Sequence, residues 1–403
     1  MGTKRAGLFL LVFIFSAKLA LALPAGWSVE SGDVNVDQSQ ENTLTITASD
    51  HAIISFDSFS IGQNETVQFI QPGSASSVLS RVTGQEATDI YGSLIANGQL
   101  IFVNPNGITF HDTANIQVQS LIASTLQIQN AMYLENRLTF EKGLGSNPGQ
   151  ILNEAAIAVP DHGHIALLSE KVKNTGTLTA KLGSVVLASG EKSTISFDNQ
   201  GLINLVIDKG VAESIPNAVH NQGALKADGG KVILDAKTLN QTLDTLVNNE
   251  GIVEANNVVE KNGQILMLSS GGMKIMGQLS AVHGEIVLHA AGDIEIVGPT
   301  ATKGSTTFKA ANDIKVNADV TTDSGDLVFQ ADSDKDGKGA FLQKEGTTAK
   351  TTTFGDIADR VFRRKYSCHD CIRRESDLKR GGGAGYLYSS TQFFHYHPRV
   401  FGH

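Results

Sequence analysis

Asp332-Ser333-Asp334-Lys335-Asp336-Gly337 sets three carboxylates at alternate positions ahead of a glycine, the opening of an oxygen-rich calcium loop. The twelfth position is Gln343 rather than Glu and the flanks read as strands, so a solvated loop is the expectation and Asp332, Asp334 and Asp336 are only weak calcium candidates. Cys368-His369-Asp370-Cys371 with His395 and His397 contains zinc-ligand types, but the histidine spacing is unlike a zinc finger, and a disulfide-type clip between the two cysteines is the preferred alternative. Asp293 and Asp313 would align one coil apart in a twenty-residue repeat, as a general acid and base would need; repeated turn aspartates are the simpler expectation. Gly229-Gly230-Lys231-Val232 lacks the hydroxyl and the spacing of a phosphate loop and reads as a coil corner. The sequence holds no HExxH, GxSxG or GxGxxG motif, so no catalytic residue, resident metal or cofactor is expected.

The elements that would carry these residues are repeats. GQILMLSS from Gly263, GEIVLHAA from Gly284, GSTTFKAA from Gly304 and GDLVFQAD from Gly325 recur at intervals of 21, 20 and 21. Between them lie GMKIMG from Gly272, GDIEIVG from Gly292 and NDIKVNA from Asn312, 20 apart. GHIALLSE from Gly163, GSVVLASG from Gly183 and GKVILDAK from Gly230 extend the series backwards. A unit this short cannot bury its own apolar face, but stacked copies can. The expected fold is all-β, a right-handed parallel β-helix of roughly ten coils between residues 150 and 350, with strands about 4.8 Å apart and Gly or Asn corners in left-handed conformations. A β-sandwich or barrel would not require a fixed period, and the leucine-rich consensus is missing.

The ends differ from the body. Lys4 and Arg5, the apolar run Leu8 to Phe15 and Ala20-Leu21-Ala22 read as a secretory signal peptide over 1–22, cleaved after Ala22. The apolar run is far short of the roughly 20 residues that span a bilayer. Between there and Phe354 there is no cysteine, so stability must come from packing and strand ladders. The net charge of −9 argues against nucleic acid as a partner. Residues 351–403 are expected to lie outside the rod: from Asp356 onwards there are nine Lys or Arg against five Asp or Glu, and the segment holds both cysteines and four of the 11 histidines.

One more motif stands out. Asn104-Pro105-Asn106-Gly107 fits a type I turn, with Pro fixing φ at the second position. Its flanks, Leu100 to Val103 and Ile108 to Phe110, look buried on both faces. It lies within Ser55 to Leu126, which carries in order Phe59-Ser60-Ile61-Gly62, Val67-Gln68-Phe69, Gln71-Pro72, Arg81-Val82-Thr83-Gly84, Ile90-Tyr91-Gly92, Ala96-Asn97-Gly98-Gln99, the NPNG turn and Leu121-Ile122-Ala123-Ser124-Thr125. This run resembles the N-terminal secretion domain of filamentous haemagglutinin-type exoproteins, the two-partner secretion family. It departs from the family pattern at Ser80, where Asn is usual, and at Ser55-Phe56, often Asp-Trp.

The resemblance implies an N-terminal capping secretion domain over 23–150, β-helical repeats over 151–350, and passage through the periplasm to a cognate outer-membrane barrel of the Omp85 type with periplasmic recognition modules. It implies a secreted or surface-associated, non-enzymatic, adhesin-like protein that meets a host or neighbouring cell surface. Asn104, Pro105, Asn106, Gly107, Arg81, Asn97 and Gly98 are the expected transporter-recognition residues, and Asn104→Ala with Asn106→Ala is expected to reduce export more than folding. The alternatives are a β-helical enzyme acting on extracellular polysaccharide and a truncated, non-functional exoprotein fragment.

Overall fold

The computed structural model describes residues 23–144, 149–239, 244–256, 258, 262–323 and 325–351, and the backbone of Ile357–Val361 and Leu387–Tyr388. The expected signal peptide with its Ala22 site, and Cys368, Cys371, His395 and His397, lie outside the described residues.

Strands recur in a fixed order on three faces. A first face carries Thr43–Ala48, Thr66–Ile70 and the start of Ser93–Val103; a second carries Ala52–Phe56, Ser77–Val82 and the end of Ser93–Val103; a third carries Thr88–Ile90, Ile108–Phe110 and Gln150–Asn153. Each strand pairs in parallel with its counterpart one coil later, as with Leu100 against Leu121 and Leu121 against Ile165. This is a parallel β-helix, and its ladder crosses residue 150 without a break. Its interior is one continuous apolar column from Leu44 to Ala331, including a stack of Phe308 on Phe329 with ring centroids 5.0 Å apart.

The glycine-led repeats align in the structure as they do in the sequence: Ile265, Ile286, Thr306 and Leu327 are successive register partners. Gly304 and Gly325 take the expected positive φ, but at other repeat glycines the reason is different. A Cβ on Gly183 would lie 1.8 Å from the carbonyl oxygen of Gly163, and one on Gly230 would lie 2.0 Å from that of Gly183. Close approach between coils, rather than a left-handed φ, excludes a side chain at both.

The coils are also fewer than expected. Among the described residues between 150 and 350 the second face has seven strands: His164–Ser169, Ser184–Ser189, Lys231–Ala236, Gln264–Ser269, the end of Leu279–Ala290, the end of Thr300–Ala310, and Leu327–Ala331. Part of the missing length leaves the rod. Lys192–Phe197 and Ile203–Lys209 form a hairpin that joins Gln127–Ile128 and Leu138–Glu141 in a separate antiparallel sheet.

That sheet and the short helix Asn130–Leu134 cover the outside of the second face. Ile101, Val103, Ile122, Leu168 and Val186 point outwards from the rod into a satellite core with Phe140, Ile195 and Tyr133. Double-sided burial explains the unbroken apolar runs here, and Leu100 to Val103 is fully buried. Ile108–Phe110 departs from the expectation: Thr109 is half-buried, and third-face strands alternate buried and accessible residues as singly covered strands do. From Gln264 onwards the second face alternates buried and accessible residues, as a singly covered strand should.

The N-terminal end is closed by antiparallel pairing of Ser28–Ser31 with Ala52–Phe56 and of Val34–Asp37 with Thr43–Ala48. At the other end Ile357–Val361 pairs in parallel with Leu327–Ala331, so the ladder reaches into the segment expected to lie outside it.

The helix is tied to the rod by the Tyr133 hydroxyl, which is buried and 2.8 Å from Ser77 Oγ. Burial pushes the phenol up to about 12. Tyr133→Phe deletes one buried hydrogen bond while keeping the ring, so a stability loss of about 1 kcal/mol is expected in urea unfolding; no measurable loss would mean that the hydroxyl contact contributes nothing.

Candidate functional site

Asn104 ends the second-face strand Ser93–Val103 and turns the chain towards the third face. Its backbone oxygen accepts from Gly107 N at 3.2 Å, closing the expected four-residue turn. Its side chain is fully buried. Nδ2 donates to the carbonyl oxygen of Glu86 at 3.0 Å and to Thr88 Oγ1 at 2.9 Å. Oδ1 accepts from Asn106 N at 2.9 Å and from Asn106 Nδ2 at 3.0 Å. Asn106 also donates to the carbonyl oxygen of Gly84 at 2.9 Å. The turn is thus clasped to the corner of the preceding coil. Pro105 is half-buried and Asn106 exposed, beside the exposed Gln85, Glu86 and Ala87. Gly107, at φ 125°, lies against Gln150 of the following coil and is buried.

Of the other expected residues, Asn97 and Gly98 also occupy a corner, whereas Arg81 lies within the strand Ser77–Val82. Asn97 pairs with the backbone of Gln71 through both side-chain atoms: Oδ1 accepts from Gln71 N at 2.7 Å and Nδ2 donates to Gln71 O at 2.8 Å. Gly98 N donates to Gln71 Oε1 at 3.1 Å, and a Cβ on Gly98 would lie 2.5 Å from the carbonyl oxygen of Ser76. Asn97 contributes to an open groove on the first face with Gln68, Ile95, Gln117 and Pro160. Arg81 donates to the carbonyl oxygen of Ile128 at 2.8 Å and faces Glu30 at 3.5 Å. Burial lowers its affinity for the proton, and Glu30 opposes that. Hydrogen bonds from Ser55 and then Asn130 hold Glu30 below the usual carboxylate range, so the cluster ties the N-terminal strand to the helix. The structure places six of these residues at coil corners and Arg81 within the second-face strand Ser77–Val82, and does not gather them into one pocket.

Two features were missed in the sequence. Asn153, Asn174, Asn221 and Asn249 form a buried spine in which each Nδ2 donates to the next Oδ1 at 2.7 to 2.8 Å. The signal was present as Asn-x-Gly at 174–176, 221–223 and 249–251, where the Asn side chain also bonds the glycine carbonyl. On the third face His111 stacks on Tyr91 at 3.7 Å, with Nε2 2.8 Å from Asp89 and Nδ1 3.4 Å from Glu154.

The catalytic alternative fares less well. Asp293 and Asp313 do meet, but Lys315 sits between them, in contact with both. Asp293 accepts from Asp313 N at 3.2 Å and Asp313 from Ala340 N at 2.9 Å, which makes them corner aspartates. Lys231 is buried in a corner, donating to Asn204 and the carbonyl oxygen of Ile203. The described residues contain no helix long and apolar enough to cross a membrane.

The comparisons agree with this architecture. A Heme/hemopexin-binding protein of Haemophilus influenzae strain Rd is 32% identical over 314 residues, covering 76% of this chain and 31% of that protein. A second protein of that name from Haemophilus influenzae is 30% identical, covering 64% of this chain and 29% of its own length. The chain therefore spans about a third of the length of these curated relatives. The crystal structure of the HMW1 secretion domain from Haemophilus influenzae superposes with a TM-score of 0.63 at 28% identity, over 83% of this chain and 87% of that one. The family model described as TPS secretion domain matches residues 22–283, more than half of the sequence. With the three-faced helix, the N-terminal cap and the NPNG corner, that match makes this chain a member of the TPS secretion domain family, the secreted exoproteins of two-partner secretion.

Proposed function

We propose that the coils over 23–150 present the export address to a cognate outer-membrane barrel of the Omp85 type with periplasmic recognition modules. Residues 1–22 direct passage across the inner membrane, and the coils over 151–350 fold outside as a stalk. The observation that carries this reading is the NPNG corner, where the buried Asn104 clasp holds Pro105, Asn106 and the 85–87 loop at the surface of the capped end. Asn104 and Gly107 shape the corner, and Asn106 is the member that faces a partner. Asn97 and Gly98 keep a neighbouring corner in register, and Arg81 fastens the N-terminal strand to the covering layer.

Outside the cell the protein works by binding, as an adhesin-like surface for a host or neighbouring cell, rather than by catalysis. The Lys315 bridge speaks against an acid and base pair at Asp293 and Asp313. A second reading, favoured by the name of the 32% identical relative, is that the bound partner is a haem carrier; retention of haem-loaded hemopexin on the immobilised protein would separate it from cell binding.

The test is secretion into the medium with and without the co-expressed barrel. Asn106→Ala leaves the Asn104 clasp to Glu86 and Thr88 intact, so its stability should fall by less than about 1 kcal/mol while exported protein drops severalfold. Equal export without the barrel would refute the partner, and normal export of Asn106→Ala would remove that residue from the address. Hydrolysis or lysis of acidic glycans, abolished by changing Asp293 or Asp313, would restore the enzyme reading.

A further inference from the structure

The geometry points to a calcium site at Asp332-Ser333-Asp334-Lys335-Asp336-Gly337, on the corner that leads from the strand Leu327–Ala331 to Phe341–Gln343. Carboxylate oxygens of Asp332, Asp334 and Asp336 lie within 4.8 Å of one another. Such a cluster alone is common on solvated loops. What sets this one apart is Asp332, which is only 1% exposed. Its Oδ1 accepts from Gly337 N at 2.9 Å, while its Oδ2 is buried without a hydrogen-bond partner. A buried carboxylate oxygen with no donor is costly, and a cation placed among the three carboxylates would supply its missing partner.

The donor set decides the kind of cation. Oxygen ligands at alternate positions, with a glycine sixth, suit a hard ion of flexible coordination, which is calcium rather than zinc or magnesium. Positive φ angles at Asp332, Lys335 and Gly337 wrap the loop around that centre. Two features limit affinity. Gln343, at the twelfth position, uses its Nε2 on the carbonyl oxygen of Thr347 at 2.7 Å, so no bidentate carboxylate closes the site. Lys338 Nζ lies 2.8 Å from Asp336 Oδ2 and must be displaced. The affinity should therefore fall in the range of about 10⁻⁴ to 10⁻³ M found in extracellular modules. The ion would pin the corner between the second and third faces and stabilise that coil by mass action.

The experiment is calorimetric titration of the chelator-treated mature chain with calcium chloride, with magnesium chloride in parallel, and thermal unfolding at each calcium concentration. Expected are one saturable calcium site in that range, weaker magnesium binding and a rise in the unfolding midpoint. Asp334→Asn with Asp336→Asn changes two exposed side chains, so the fold should persist by circular dichroism while calcium affinity falls at least about tenfold. Asp332→Asn keeps an oxygen for Gly337 N and should lose the calcium response as well. No saturable uptake up to about 10 mM, well above the expected range, or a calcium response undiminished in these variants, would overturn the site.

Discussion

Asn104→Ala should destabilise the secretion domain by about 2–4 kcal/mol, a large share of the margin by which a domain is folded. The substitution removes both partners of Nδ2 and the acceptor for Asn106 N at a position with no solvent to replace them. Thr88, equally buried, loses its side-chain contact across the coil. Asn104→Asp should fail for a related reason. It keeps an acceptor for Asn106 N but turns a second oxygen towards the carbonyl of Glu86, where the amide had donated. Urea unfolding of the secreted domain measures both; a loss below about 1 kcal/mol for Asn104→Ala would mean that the clasp is not what fixes the corner. On the expected outcome, export by a variant changed at both Asn104 and Asn106 would not separate recognition from folding, whereas a change at exposed Asn106 alone would.

The strand ladder was legible because its signal is repeated: glycine-led segments 20 or 21 apart must stack, and their register follows from the alternation of Ile, Val, Leu and Phe into the column. What the period could not reveal was where the chain leaves it. The segment 192–209 is as β-prone as a coil strand, and only the structure shows it folded back over Ile101, Leu168 and Val186. Those outward residues give the unbroken hydrophobic runs that hinted at a second layer without saying what it was. The NPNG turn was equally readable as a turn, since its preferences are local. Whether its side chains face solvent or the previous coil depends on Glu86 and Thr88, which are contacts across the ladder. The Asn spine is the converse case: Asn-x-Gly is a plain motif, but the glycine drew attention as a turn signal and hid the asparagine pairing at the same corner.

Asp235 leads to the last prediction, a stability profile whose slope changes with one atom. It lies on the second face between Ala188 and Leu268, beside the edge of the covering sheet, and burial pushes its carboxyl up to about 7 against the opposing charge of Lys237. Between pH 3.8 and 7 the folded state keeps a proton that the unfolded chain has released, so this residue's contribution is fully present below pH 3.8 and is lost as pH rises through 7. His164 acts in the opposite direction. Burial, reinforced by His162, lowers its imidazole to about 4, so the unfolded chain takes up a proton below pH 6.5 that the folded state refuses, and stability is lost as pH falls from 6.5 through 4. Over the shared window the two slopes oppose each other. Asp235→Asn removes one of them. Full desolvation over that shift would correspond to about 4 kcal/mol; because the carboxyl is only partly covered, a gain of about 2 kcal/mol at pH 8 is expected, vanishing near pH 4. The lowered carboxylates elsewhere, Glu30, Asp50, Glu191 and Asp198 among them, are common to both proteins and cancel in the difference. Urea unfolding of both at pH 4, 6 and 8 reads that difference directly, and a gap that does not widen with pH would show that Asp235 is ionised in the fold at neutral pH.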